Sequence, residues 1–163
     1  MLDLLPDLTD QYPDHLLIAD PIFNTYGKKT IFYGEVVTVK CFEDNSRVKE
    51  LVATDGTGKV MVVDGGASKR VALLGDMLAE LAANNGWEGV IINGAVRDVA
   101  TQATINLGVK ALAATPLRST RKGVGEVGVN VAFAGLRFED GDYLYSDLNG
   151  IALAKQPLAL DFL

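Results

Sequence analysis

The 163-residue sequence is short of the groups on which most metal and nucleophile chemistry depends: it has one cysteine, Cys41, and one histidine, His15. A lone cysteine excludes an internal disulfide, and no Cys-x-x-Cys pair exists to ligate zinc. A lone histidine excludes zinc sites built on several imidazoles and argues against a Ser-His-Asp machine. His15 is expected at the surface of an N-terminal helix, and no local pattern supports a Cys41–His15 nucleophile pair. Long apolar runs are missing too, since none approaches the roughly 20 residues that span a bilayer. The N-terminal MLDLLPDLTDQYPD is acidic and broken by prolines, unlike a signal peptide. The expectation is a cytoplasmic protein with no membrane partner.

Clustered basic charge is scarce as well. The net charge is −6, and the densest basic stretch, RSTRK from Arg118 to Lys122, holds only three charges on an expected loop. Such a surface repels phosphate backbones, so direct nucleic-acid binding is disfavoured, whereas a basic protein partner remains compatible. What is present is ordinary for a globular chain: 48% hydrophobic and 22% charged residues. The length suits one domain spanning residues 1–163.

Along the chain, a short helix is expected around Leu8 to Tyr12, then a turn at Ala19-Asp20-Pro21. TIFYGEVVTVKCF (30–42) is β-branched and aromatic and reads as a strand. NSRVKELVAT follows at helical spacing behind an Asn45 or Ser46 cap. DGTGK (55–59) lacks the spacing of a phosphate loop and reads as a turn into the buried strand KVMVVD. In SKRVALLGDMLAELAANNG, Val71, Leu74, Leu78 and Leu81 share one helical face. Gly75 interrupts that helix, Asp76 restarts it, and Asn84-Asn85-Gly86 ends it. EGVIIN gives another buried strand that turns at Asn93-Gly94, completing a βαβ unit over residues 59–93. LGVKALAATP, VNVAFAGLRFEDGDYLYSD and GIALAK read as strands joined by glycine turns. The fold class is therefore α/β, with a central βαβ unit and a strand-rich C-terminal half.

Two glycine patterns carry little. GVGEVG (123–128) has the letters of a dinucleotide fingerprint but precedes a strand-like VNVAF, so it reads as a flexible loop. VVDGG (62–66) ends a buried strand, where α/β sheets bind ligands, and gains weight only from its neighbours. Those neighbours are Gly75-Asp76-Met77-Leu78 and Arg97-Asp98. A helix starting at Gly75 offers free amides as an anion seat. Arg97 offers a planar fork for a carboxylate, and Asp98 an oxygen ligand for a hard divalent ion such as Mg²⁺. A 2-oxo acid chelates such an ion, which draws electrons from the reacting carbon chain. A surface ion pair beside an ordinary helix is the plainer reading of the same residues.

VDGGASKRVALLGDMLAE, WEGVIINGAVRDV and GDYLYSDLNGI resemble, in order, the family named for the regulator of ribonuclease activity A; CFEDNS and INLGVKALAATP also fit. The likeness covers nearly the whole chain. It implies a layered α/β/β domain, of the swivelling-domain kind, in a ring-shaped homotrimer. One branch of the family comprises class II aldolases that use Mg²⁺ or Mn²⁺ to cleave 4-hydroxy-4-methyl-2-oxoglutarate to two pyruvates and to decarboxylate oxaloacetate. The other binds the endoribonuclease RNase E and inhibits RNA processing without catalysis. By resemblance, Gly75, Asp76, Met77, Leu78 and Arg97 bind the 2-oxo acid, Asp98 binds the metal, and Asp76 holds a water. Keeping both Gly75-Asp76 and Arg97-Asp98 favours the aldolase branch. Thr101 departs from it, standing where the aldolase pattern expects another acid, a change that would weaken metal or water organisation. In the aldolases an acid of the adjacent subunit completes the metal shell; Asp20, Asp140 and Asp147 are candidates by composition, with an ordinary surface role as the alternative.

Overall fold

A computed structural model describes residues 1–163. In chain order the elements are α1 (Leu5–Gln11), β1 (Leu17–Ile18), β2 (Asn24–Thr25), β3 (Phe32–Lys40), α2 (Ser46–Val52), β4 (Lys59–Asp64) and β5 (Ala72–Leu74). Then come α3 (Asp76–Asn84), β6 (Gly89–Val96), α4 (Val99–Gln102), β7 (Gly108–Ala114) and β8 (Glu126–Val127). The chain closes with β9 (Val131–Phe133), β10 (Leu136–Phe138), β11 (Tyr143–Asp147) and β12 (Gly150–Ala154).

One large mixed sheet runs β1-β12-β11-β3-β4-β6-β7-β2. Its centre, β3-β4-β6-β7, is parallel, and β5 adds in parallel beside the far end of β6. The central strands are apolar on both faces because both faces are covered. Met61 and Val63 of β4 meet Val48, Val52, Leu78, Ala79 and Ala82 of the helices. Val60 and Val62 point the other way, onto Val131, Leu136 and Phe138 of the β9–β10 ribbon. The result is three layers, helices over the main sheet over a two-stranded sheet, as the α/β/β expectation requires. α1 packs separately, with Leu4, Leu5 and Leu8 against Tyr145, Ala152 and Ala154.

Three expectations need correction. Residues 72–74 form a strand and not the first turn of a helix; all three are buried, and Leu74 stands at helical spacing from Leu78 of α3 only by coincidence. Asn93-Gly94 does not end β6, which continues to Val96. The glycine signal instead marks a bulge, since Ile92 and Ala95 face Ala111 and Ala113, one extra residue in β6. The 123–128 segment is tied down: β8 pairs with β3, and the Gly123 amide donates to Ser46 Oγ at 2.9 Å. His15 is exposed, in a turn just beyond α1, edge-on to Tyr12. Cys41 is buried, and desolvation, then the Asp44 and Asp64 carboxylates, push its thiol up to about 12. A thiol held protonated is no nucleophile.

α1 has no side-chain cap of its own. Its first amides, Leu4 and Leu5, both donate at 2.8 Å to Oδ2 of the fully buried Asp147, whose Oδ1 accepts the Asn149 amide at 2.7 Å. Burial raises this carboxyl, but the amides of Leu5, Leu4 and Asn149 outweigh it and leave the group below its ordinary value of 3.8. A depressed carboxylate contributes stability that is complete above that ordinary value and is lost as pH falls through the folded-state value. The contact should therefore survive mild acid. Asp147→Ala strands these donors, which should cost about 3 kcal/mol and lower Tm by about 6–12 °C, as read by thermal denaturation at neutral pH.

Candidate functional site

The parallel strands β5 and β6 end side by side, and both connections leave from that end. The Arg97 amide donates to the Leu74 carbonyl at 3.1 Å, so the Gly75 and Arg97-Asp98 turns are stitched together. α3 begins at once, with Gly75 extended at its N-cap position. Asp98 sits at φ 56°, a left-handed conformation uncommon outside glycine. That turn swings its carboxylate back over α3, where Oδ2 accepts the Asp76 amide at 3.0 Å. The Met77 amide donates to Asp76 Oδ1 at 2.9 Å. The helix end expected to seat an anion thus has two of its amides engaged by the protein's own carboxylates. This is the expected preference of a helix N-terminus for negative charge.

Gly75 has a steric reason. A β-carbon there would lie 2.8 Å from Asp98 Oδ2 and 3.3 Å from Arg97 Nε. Arg97 Nε in turn stands 3.8 Å from Asp98 Oδ2, with both side chains partly exposed. The two functional groups thus lie over the glycine, and only hydrogen leaves them room.

A cavity of about 560 Å³ opens here, lined by Gly75, Asp76, Met77, Leu78, Arg97 and Asp98. All six residues singled out from the sequence meet in one place. The sequence reading missed the rest of the wall, which includes Asn45, Arg118, Ser119 and Arg121. Leu117 to Ser119 adds to β5 like a further strand: the Ala72 amide donates to the Leu117 carbonyl at 2.7 Å and the Ser119 amide to the Ala72 carbonyl at 3.2 Å. Arg121 Nε donates to Asn45 Oδ1 at 3.1 Å, and Asn45 Nδ2 to the Leu73 carbonyl at 3.1 Å. The buried Asp44 carboxylate accepts the Ser46 amide and hydroxyl and the Lys122 amide, which pins the loop to the start of α2. Burial pushes Asp44 up, but these bonds more than offset it and hold the group below its ordinary range. Neither Arg118 nor Arg121 has an acid partner within 4 Å, so three guanidinium groups border one cavity of a chain whose net charge is −6. RSTRK, read as a basic loop of only three charges, supplies four of the twelve residues of this wall, Arg118 to Arg121.

Other expected positions are elsewhere. Asp64 of VVDGG is outside the cavity, with Oδ1 accepting the Gly66 amide and the Asn93 side chain. Thr101 is exposed on α4 and does not line the cavity. Of the acids considered for a neighbouring subunit's site, Asp147 is fully buried under α1 and cannot reach another chain. Asp140 Oδ1 accepts the Thr38 amide and hydroxyl. Asp20 is exposed, its carboxylate beside Gly135.

The donor set suits a hard cation. Asp98 Oδ1 accepts no hydrogen bond from the chain, Asp76 has one engaged oxygen, and both line the open cavity. No group of three or more His, Cys, Asp or Glu side chains converges within one chain. An ion held by one or two carboxylates, with water and substrate oxygens completing its shell, is how Mg²⁺ is commonly bound.

Comparison with known proteins places this geometry in context. The family model described as RraA-like, Aldolase/RraA, matches residues 5–153. A protein of Marinomonas sp. strain MWYL1, provisionally named a 4-hydroxy-4-methyl-2-oxoglutarate aldolase, is 63% identical over 160 residues, covering 98% of this chain and 99% of its own. The solved RNA-processing inhibitor RraA of Thermus thermophilus superposes with a TM-score of 0.93 at 39% identity, over 98% of this chain and 97% of its own. A Geobacillus kaustophilus HTA426 structure named S-adenosylmethionine:2-dimethylmenaquinone methyltransferase also gives 0.93, at 42% identity, over 96% and 97%. Three functional names on one fold leave the activity to be argued from the site. The match over nearly the whole chain, with the fold it carries, settles the lineage: this protein belongs to the RraA-like family.

Proposed function

We propose that the protein is a divalent-metal-dependent lyase that cleaves 4-hydroxy-4-methyl-2-oxoglutarate to two pyruvates and decarboxylates oxaloacetate. One observation carries this reading: Arg97 and Asp98 lie together over Gly75, at the N-terminus of α3 and in the wall of an open cavity. A mere ion pair needs neither the left-handed Asp98 backbone nor the glycine beneath it. The provisional names of the relatives at 53–63% identity support the same chemistry.

In this reading Asp98 holds Mg²⁺ or Mn²⁺. When bound, the ion supplies Lewis-acid withdrawal of electrons from the 2-oxo group. The chain's own residues do the rest. Arg97 grips the carboxylate next to the keto group with two parallel bonds, aided by the Gly75–Leu78 turn. Arg118 and Arg121 face the same cavity and balance the remaining carboxylate of the substrate. Cleavage of the C3–C4 bond leaves its electron pair on the 2-oxo fragment while the C4 hydroxyl gives its proton to a water held at Asp76. Asp76 Oδ1 is engaged by the Met77 amide, and Oδ2 holds the water that returns a proton to C3. Loss of carbon dioxide from oxaloacetate leaves the electron pair on the same carbon, so one site serves both reactions. By the family resemblance the working form is a homotrimer in the cytoplasm, with an acid of the adjacent subunit adding to the metal shell.

A second reading, a non-catalytic inhibitor of an RNase E-type ribonuclease, draws on the name of the Thermus neighbour. Ion-dependent pyruvate release by the wild-type protein separates the two, and Arg97→Lys then tests the clamp. That substitution keeps the charge and loses the fork. Loss of charge-assisted bonds costs about 1.5–3 kcal/mol, so kcat/KM for pyruvate release from oxaloacetate should fall by about tenfold to a hundredfold. Tm should barely move, because an exposed ion pair contributes about 0–1 kcal/mol. Wild-type turnover in Arg97→Lys overturns the clamp and returns Arg97 to a surface ion pair.

A further inference from the structure

Gln102 ends α4 and is fully buried, an unusual place for an amide side chain. Its Nε2 donates to the Arg97 carbonyl at 2.7 Å and to the Leu74 carbonyl at 3.1 Å. Its backbone amide donates to the Asp98 carbonyl at 2.8 Å. One residue therefore holds the backbone on both sides of the site: Leu74 immediately precedes Gly75, while Arg97 and Asp98 are the proposed ligands themselves. The other connections between the two turns are the Arg97 amide to the Leu74 carbonyl and the Asp76 amide to Asp98 Oδ2. Gln102 Oε1, meanwhile, is buried with no partner. Both bonds from the donor end of this amide go to the two turns.

We infer that Gln102 is a positioning residue, whose forked amide fixes the distance between the Gly75–Asp76 turn and the Arg97–Asp98 turn. It touches no substrate and acts through Arg97 and Asp98. The inference rests on the lyase reading for its catalytic consequence, but its structural consequence stands apart from any activity.

Gln102→Met keeps the volume, removes the donor and also removes the unpaired oxygen. In hydrogen exchange on the ion-free protein, peptides covering 73–79 and 96–103 should exchange about tenfold faster, because the Asp76 and Arg97 amides lose their fixed acceptors. A peptide covering Val60–Val63 at the sheet centre should not change. Per folded molecule, kcat/KM for oxaloacetate should fall by about tenfold to a hundredfold, the scale of a mispositioned supporting partner, with KM and kcat both affected. Should Gln102→Met not fold, Gln102→Asn, one methylene too short to span both carbonyls, carries the same expectations. Unchanged exchange in both site peptides overturns the inference, and so does faster exchange spread evenly into Val60–Val63. Wild-type kcat/KM in a variant with loosened turns also overturns it. Absence of pyruvate release from the wild-type protein would sink the lyase reading instead, and the exchange contrast would still decide whether Gln102 holds the turns.

Discussion

Asp98→Asn is expected to lose more than about a hundredfold in ion-dependent pyruvate release, beyond what losing a supporting partner of a metal ligand costs, with Tm close to that of the wild type. Asparagine tolerates the left-handed backbone at φ 56°. Its amide oxygen can still accept the Asp76 N–H that Asp98 Oδ2 accepts at 3.0 Å. What it lacks is the negative charge that a hard cation requires. Asp98→Ala should abolish the activity as well, but it also removes the contact to the first turn of α3, worth about 0.5–2 kcal/mol for a helix cap. Comparing the two by steady-state kinetics and thermal denaturation separates the charge from the cap. Full ion-dependent turnover in either variant contradicts the assignment of Asp98 to the metal.

Gly75→Ala should give a protein that folds normally and works poorly. Gly75 is extended, at φ −114° and ψ −170°, so alanine meets no backbone penalty. The added methyl would instead meet Asp98 Oδ2 at 2.8 Å and Arg97 Nε at 3.3 Å. Both obstacles lie toward the free ends of side chains that can swing aside, so the stability cost is small. The geometry cost is not, because misplacing a reacting group by about 1 Å can cost on the order of a hundredfold in rate. The measurements are kcat/KM for oxaloacetate and Tm, with the first expected to drop about a hundredfold and the second to hold. A drop in Tm with turnover intact would make Gly75 a packing residue and remove it from the site.

These residues were legible because each carries its signal locally. Gly75-Asp76 marks a helix start, Arg97-Asp98 pairs charges after a buried run, and β3, β4 and β6 are runs of β-branched residues. Ala72–Leu74 was misread for a reason of the same kind: three buried residues in a row fit a strand or a helix stripe equally well, and only pairing with β6 decides. Arg118 and Arg121 showed only as part of a short basic stretch, with nothing local to place them at the cavity. They reach the cavity through the Leu117–Ala72 and Asn45–Arg121 bonds, between segments more than 40 residues apart. The amide of Gln102, at the end of a four-residue helix, looks like surface until the Leu74 and Arg97 carbonyls are seen converging on it. Asp147 likewise gains its role from the Leu4 and Leu5 amides at the other end of the chain. Local patterns thus indicated one side of the cavity, and long-range pairing supplied the other.

The proposed conversion of a 2-oxo acid in this cavity depends on a divalent ion. Its most direct test uses wild-type protein stripped by a chelator, supplied with 4-hydroxy-4-methyl-2-oxoglutarate, and assayed for pyruvate before and after Mg²⁺ or Mn²⁺ is restored. No release is expected without the ion and, with it, two pyruvates for each substrate consumed. Pyruvate release that is unaffected by chelation, or none with either ion, would contradict it.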